Sequence, residues 1–178
     1  MNTYIALLRG INVGGHNSLP MAELSEILGE LKLENVRTYI QSGNIVFQSR
    51  GKIDGGFSEK ISTSIESTKG FRPETLVLSL DELIAAIDNN PFPISNGKIL
   101  NCFFLKESSN EPDMKSLEAL KQDTEQFKLA GMVFYLFTPN GFAGSKLARR
   151  VEKVLGVPVT ARNWNTVNKL HLMALEKV

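Results

Sequence analysis

Short apolar runs alternate with amphipathic stretches along the chain, and together they predict an alternating order of strands and helices. "TYIALLR" is typical of a strand, and Pro20 then opens a stretch whose apolar residues recur at helical spacing. Two strand-like runs flank Ser42-Gly43, which indicates a hairpin. In "SLDELIAAID" Ser79 and Glu82 have the spacing of a helix cap. The predicted strands and helices of the first half lie at 3–9, 20–33, 36–41, 44–49, 58–68, 74–79 and 79–88.

The segment "NNPFPISNG" (89–97) interrupts this pattern, because two prolines and a glycine suit neither a sheet ladder nor a helix. After it the same order of elements recurs, with a hairpin predicted around Gly131. The predicted elements of the second half lie at 99–106, 112–122, 125–131, 132–138, 145–155, 157–162 and 165–176.

Each half therefore has the order strand, helix, strand, strand, helix, strand, helix. The first six elements match the βαββαβ order of ferredoxin-like units. The predicted fold is α+β, with two ferredoxin-like units in tandem at 1–90 and 97–178, each followed by an extra helix. Residue identities do not repeat between the halves, so coincidence is the alternative to duplication. In each unit we expect the first and third strands to be parallel neighbours, with the loops after them at one end of the sheet, where ligands tend to bind.

Composition is that of an ordinary soluble protein, with 42% apolar and 22% charged residues. No apolar run approaches the ~20 residues of a membrane helix, so the sequence predicts a cytoplasmic protein without a membrane partner. The single cysteine, Cys102, lies in an apolar run and is expected to be an inert core residue. With His16 and His171 as the only histidines, no metal site and no cofactor are predicted. The sequence does not predict the oligomeric state.

Charge is distributed unevenly. Residues 1–140 hold 13 Lys and Arg against 17 Asp and Glu, a net charge of −4. Residues 141–178 hold seven against two, a net charge of +5. This asymmetry predicts a locally basic surface that meets something anionic.

The densest polar motif is "LLRGINVGGHN" (7–17), which follows a strand and precedes a helix. Glycines there allow positive φ and close backbone approach, and exposed N–H groups would favour an anion. The spacing matches neither a phosphate-binding Walker loop nor a dinucleotide fingerprint, and a simple turn is the alternative. If the motif is a site, Gly14 or Gly15 should have positive φ with N–H groups facing solvent. The candidate ligand-binding residues here are Arg9, Asn12, Gly14, Gly15 and His16.

A second candidate is "TPNGFAGSKLARR" (138–150), taken as the counterpart of the first loop in the second half. Ser145 is placed to cap a helix on which four cations would form one stripe. Four like charges on one stripe repel, and a bound anion would relieve them, although a solvated face is the alternative. The stripe consists of Lys146, Arg149, Arg150 and Lys153, of which Lys146 and Arg149 are the candidate ligand-binding residues.

A third candidate is "TARNWNT" (160–166). Arg162 offers a planar fork for a phosphate, Asn163 offers hydrogen bonds, and Trp164 offers a ring for stacking on a base. The alternative is local, with Asn163 capping the last helix and Trp164 packing in the core.

These three stretches lead to one hypothesis, a phosphate-bearing ligand, nucleotide-like or nucleic acid, bound between the two halves. One alternative is an enzyme that acts on a phosphorylated small molecule, with His16 as general acid–base. Another is a protein-interaction module whose basic stripe meets an acidic partner. No pairing of a nucleophile with a base is evident from spacing.

The chain also resembles the bacterial proteins of domain-of-unknown-function family 1697. The motifs that carry the resemblance are "ALLRGINVGGHN", "PMAEL", "VRTYIQSGNIVF" and "SKLARRVEKVLGVPVTARNWNTVNKL". The family commonly has a basic residue where this chain has Ser18, which weakens the anion interpretation of the first loop. The resemblance implies a compact α+β fold with ferredoxin-like units, and it implies no activity.

Overall fold

The computed structural model describes residues 1–176, in which strands and helices follow each other in the predicted order. The elements of the first half are β1 (Asn2–Arg9), α1 (Met21–Glu30), β2 (Glu34–Tyr39), β3 (Asn44–Ser49), α2 (Phe57–Lys69), β4 (Glu74–Ser79) and α3 (Leu80–Asp88). Those of the second half are β5 (Leu100–Leu105), α4 (Met114–Leu120), β6 (Gln126–Ala130), β7 (Val133–Phe137), α5 (Val151–Leu155), β8 (Val159–Asn163) and α6 (Trp164–Leu175). The βαββαβ order, twice, with an extra helix after each copy, is confirmed.

The strands form two four-stranded antiparallel sheets, in the orders β2-β3-β1-β4 and β6-β7-β5-β8. The expectation that the first and third strands are parallel is wrong, because β1 runs antiparallel to β3 and β5 antiparallel to β7. In each half a tight hairpin joins the second strand to the third and reverses the chain direction. The loops after the first and third strands therefore lie at opposite ends of a sheet. The loop at 10–17 and the loop at 138–150 follow different strands and are not counterparts.

Packing groups the chain into two compact units. Unit 1 comprises Met1–Ile84 and the chain from Lys169 onward, and unit 2 comprises Ala85–Asn168. Packing does not show which segment folds alone, so the domain division at 1–90 and 97–178 stays a prediction. Between residues 1 and 176, no helix has the length and apolar character needed to cross a membrane.

The core of unit 1 follows from the alternation of side chains along its central strand. Tyr4, Ala6 and Leu8 of β1 belong to one buried cluster, which also contains apolar residues of α1 and α2. The intervening Ile5 and Leu7 are also buried. Because β1 is buried on both faces, its sequence is a nearly continuous run of apolar residues.

Unit 2 is built in the same way. Phe103 and Leu105 of β5 pack in a cluster with apolar residues of α4, β7 and α5. On the opposite face of β5, Cys102 and Phe104 are buried as well. Each central strand therefore contributes side chains to both faces of its sheet.

The edge strand β2 carries a bulge. Its pairing with β3 shifts between Glu34 and Arg37, and Asn35 has a φ of 53°. Asparagine tolerates this left-handed conformation, and the Asn35 amide donates to Gln48 Oε1 at 2.6 Å. Beyond the bulge, the Arg37 guanidinium donates to the Met173 carbonyl in α6 and to Glu176 Oε2 at 2.6 Å. A cation at the C-terminal end of a helix is favourably placed.

Two helix starts test the capping predictions. The predicted cap of α3 is present, since Ser79 N donates to Glu82 Oε2 at 2.7 Å and Glu82 N donates to Ser79 Oγ at 3.2 Å. The predicted helix at 145–155 is shorter than expected, because α5 begins at Val151 and residues 146–150 form turns. Ser145 Oγ does accept from Ala148 N, but Arg150 N bonds to Leu147 O, three residues back rather than four.

Candidate functional site

The loop at 10–17 is a miniature hairpin at the end of β1. His16 N donates to Val13 O at 2.9 Å, and Asn12 N donates to Asn17 O at 3.0 Å. Between them, Gly14 and Gly15 have φ values of 58° and 79°, which is the geometry of a two-residue hairpin turn with both central residues left-handed. The expected positive φ is present at both glycines. The motif is thus a well-formed turn in its own right.

Two asparagine side chains hold this hairpin in place. Asn12 Nδ2 donates to Leu19 O at 2.9 Å and to Gln41 O at 2.8 Å, and Asn12 Oδ1 accepts from Leu19 N at 2.8 Å. Asn17 Nδ2 donates to Gly10 O at 2.7 Å. Both asparagines have positive φ, which this residue tolerates better than most. Asn12 therefore works as a structural tie, and its predicted contact with a ligand stays a prediction.

The tip of the hairpin has unused hydrogen-bonding capacity. In the described part of the chain, the N–H groups of Gly14 and Gly15 have no acceptor, whereas Val13 is bridged to His16. A Cβ at Gly15 would meet nothing within 4 Å, and one at Gly14 would meet only His16 Cδ2 at 4.0 Å. His16 is exposed and is not packed inward. The positive φ of Gly14 and Gly15 therefore explains why glycine occupies these positions. No neighbouring atom would clash with a side chain there.

Arg9 lies beside this hairpin at the exposed end of β1. In the register of the sheet it stands directly opposite Glu74 on β4. Opposite charges at facing positions attract, so Glu74 offsets part of the charge that Arg9 brings to the loop. Any binding at this tip would depend more on backbone N–H groups than on net positive charge.

The β2–β3 loop lies next to the hairpin, and sequence reasoning gave it no role beyond a turn. Asn44 is buried, and its Nδ2 donates to Tyr39 O and Ser42 Oγ at 3.0 and 2.8 Å. Gly43 has a φ of 73°. There is also no room for a side chain at this position, since a Cβ would lie 2.6 Å from Leu8 Cβ. These contacts explain the "SGN" motif as a requirement of packing.

Ile40 is the residue in this loop that the sequence interpretation missed. It has a φ of 49° and is 51% exposed. A β-branched residue with positive φ is an outlier, and such strain persists only where the surrounding structure enforces it. Val13, on the adjacent hairpin, is 67% exposed. The sequence pattern placed Ile40 in the strand predicted at 36–41, where an isoleucine is ordinary, so no local signal indicated its positive φ; in the structure β2 ends at Tyr39.

The basic stripe of unit 2 is a solvent-exposed turn followed by one short helix. Lys146, Arg149, Arg150 and Lys153 are all exposed. Arg149 donates to Ala143 O at 3.1 Å, and no ion pair to Lys146, Arg150 or Lys153 occurs among the residues that the structure describes. The predicted even spacing on one long helix is not formed, since only Lys153 lies within α5.

The third candidate stretch has mainly structural contacts. Trp164 is 4% exposed at the start of α6, and Asn163 Oδ1 accepts from Thr166 N at 2.9 Å, as a helix cap does. Arg162 donates to Ala161 O at 2.9 Å, and burial lowers its pKa to about 10, so it remains a cation at neutral pH. These placements favour the packing and capping roles of the three residues, and their contact with a ligand stays a prediction.

The ten candidate residues divide between the units. Asn12, Gly14, Gly15 and His16 lie in the hairpin of unit 1 and Arg9 at the end of β1 beside it, whereas the other five belong to unit 2. Cys102 is fully buried, and burial raises the pKa of its thiol to about 12, which is typical of an unreactive core cysteine. Within residues 1–176, no group of three His, Cys, Asp or Glu side chains is placed to hold a metal ion.

Comparison with known proteins agrees with this fold. A solved structure titled as that of a conserved bacterial protein, SP0830, from Streptococcus pneumoniae is 29% identical, with a TM-score of 0.68. The match covers 97% of this chain and 98% of that one. No curated protein sequence matches the chain. The family model described as protein of unknown function (DUF1697) matches residues 1–135, which include the hairpin and the β2–β3 loop. The chain therefore belongs to the DUF1697 family.

Proposed function

We propose that the hairpin at 10–17 binds the phosphate group of a nucleotide-like ligand. The observation that supports this proposal is the pair of N–H groups at Gly14 and Gly15, which have no acceptor in the described residues, at glycines where an added Cβ would meet nothing closer than 4.0 Å. Phosphate oxygens are strong acceptors, and backbone N–H groups are common partners for them. Arg9 at the end of β1 and His16 directly after Gly15 are both exposed, and in this proposal they add donors.

Rigidity supports the same proposal. The bonds of Asn12 and Asn17 fix the hairpin before any ligand arrives, so that binding does not have to order the loop. Val13 and Ile40 present exposed apolar surface on the hairpin and on the loop tied to it by Asn12. Such surface suits the base or another apolar part of a ligand whose phosphate lies at the glycines.

Catalysis by His16 has less support than binding. The His16 side chain has no hydrogen-bond partner in residues 1–176 that would fix its tautomer and ring orientation. General acid–base catalysis requires an oriented group near the reacting proton. We therefore propose His16 as a donor to phosphate and not as a catalytic residue.

The proposal is tested by titrating the ¹⁵N-labelled protein with inorganic pyrophosphate and with adenosine monophosphate while recording amide NMR spectra. We expect saturable shifts at Gly14 and Gly15. Gly14→Ala should raise the Kd by ~tenfold, the equivalent of ~1.4 kcal/mol.

Gly131→Ala is the matched control for this substitution. Gly131 has a φ of 57° against 58° at Gly14, and a Cβ at Gly131 meets nothing within 4 Å. Both variants place a Cβ on a residue with positive φ in a tight turn, but only Gly14→Ala alters the proposed site. Absence of saturable shifts at Gly14 and Gly15 at millimolar ligand, or equal loss of affinity in both variants, would refute the proposal.

A further inference from the structure

A surface groove of about 520 Å³ lies in unit 2 between α4 and α5. It is separate from the hairpin of unit 1 and does not depend on the function proposed for that loop. Ala119, Leu120 and Val154 provide an apolar floor. Leu120 and Val154 also pack against the buried cluster of this unit. The floor is thus anchored in the core while part of its apolar surface faces solvent.

The rim of the groove is basic. Arg150 and Lys153 line it, are exposed, and have no ion pair with any residue between 1 and 176. Lys146 and Arg149 precede them along the chain and are also exposed. A partner with carboxylates would neutralise charges that the protein itself leaves unpaired.

One carboxylate, Asp113, stands in the groove and limits the choice of partner. It is the cap of α4, accepting from Ser116 N at 3.2 Å and from Ser116 Oγ. Those hydrogen bonds hold the pKa of Asp113 below its usual range, so it stays negative. A polyanion charged along its whole length would meet repulsion there. The groove lining also contains no aromatic ring on which a base could stack.

We propose that the groove between α4 and α5 binds a segment of a partner protein that carries both acidic and apolar side chains. Apolar side chains of this segment cover Ala119, Leu120 and Val154, and its carboxylates lie on Arg150 and Lys153. The apolar floor supplies buried area, and the basic rim supplies orientation and selectivity.

The test uses the full chain and three fluorescein-labelled probes in anisotropy titrations. The first is a short synthetic peptide that repeats glutamate and leucine, the second is a glutamate peptide without leucine, and the third is single-stranded DNA of equal charge. We expect the glutamate–leucine peptide to bind most tightly. Arg150→Glu should weaken its binding by ~tenfold.

Two variants distinguish peptide binding in the groove from peptide binding to any basic surface. Ala119→Arg adds a positive charge but fills the floor, so it should weaken the glutamate–leucine peptide roughly fivefold. Lys128→Glu changes the net charge as Arg150→Glu does, at an exposed position on the edge strand β6, and should leave affinity within about twofold. The proposal is overturned if no probe binds, if DNA binds most tightly, or if Ala119→Arg strengthens peptide binding.

Discussion

Gly43→Ala tests the packing that joins the hairpin of unit 1 to the β2–β3 loop. At this position φ is 73°, so any residue with a Cβ adopts the left-handed conformation at a cost of ~1–2 kcal/mol. The added Cβ would also lie 2.6 Å from Leu8 Cβ and 2.9 Å from Ile11 Cδ1. Leu8 and Ile11 are fully buried and nearly fully buried, so neither can move aside easily. Overpacking of this kind costs a further ~1–3 kcal/mol.

We therefore expect Gly43→Ala to lower the free energy of unfolding by ~2–5 kcal/mol. The measurement is urea-induced unfolding followed by circular dichroism. Gly131→Ala is again the control, because its φ of 57° carries the conformational cost without any contact within 4 Å. If the two variants lose the same stability, the close approach of Leu8 and Ile11 is not a constraint and the reasoning fails.

Three further predictions concern single features. Asn12→Ala removes three hydrogen bonds and should lower the free energy of unfolding by about 2–4 kcal/mol in urea, whereas a loss below about 0.5 kcal/mol would show that the tie is not needed. Cys102 should not react with a thiol reagent at about pH 8 until the protein unfolds, and rapid labelling of the native protein would contradict its burial. Replacing Arg149 and Arg150 together by Ala should change the unfolding free energy by no more than about 0.5 kcal/mol, and a drop of several kcal/mol would mean that they are buried partners.

The sequence predicted the bounds of an element well where specific residues mark its two ends. β4 was placed at 74–79, with Pro73 before it and the Ser79–Glu82 cap after it, and the structure has the same bounds. The predicted length of α5 is too great. The spacing of apolar and basic residues over 145–155 fits a helix whether or not the backbone forms hydrogen bonds between residues four apart. Spacing indicates which side chains are buried and which are exposed. The turns at 146–150 bury Leu147 and expose Lys146, Arg149 and Arg150, as a helix would.

The support of the site was beyond the reach of the sequence pattern, but strand direction was not. A crossover helix leaves the first two strands parallel, so the hairpin predicted between the second and third strands already requires the third to run antiparallel to the first, as β3 does to β1. The glycines of the hairpin were identified, since positive φ has a residue signature. The bond from Asn12 to Gln41 joins residues far apart in sequence, and no local signal indicates it.

The bulge in β2 has a consequence for how this protein behaves at high concentration. An edge strand offers unpaired backbone groups on which another chain can add a strand, which is how sheets propagate into aggregates. At Asn35 the left-handed residue breaks the straight run of donors and acceptors, and Arg37 ties the rest of the strand to the end of α6. Deleting Asn35 would straighten this edge into a regular template, and the protein should then associate through it. β6, the corresponding edge of the other sheet, has a regular register and bears the outward charge of Lys128 instead. The two sheets thus discourage strand addition by different means.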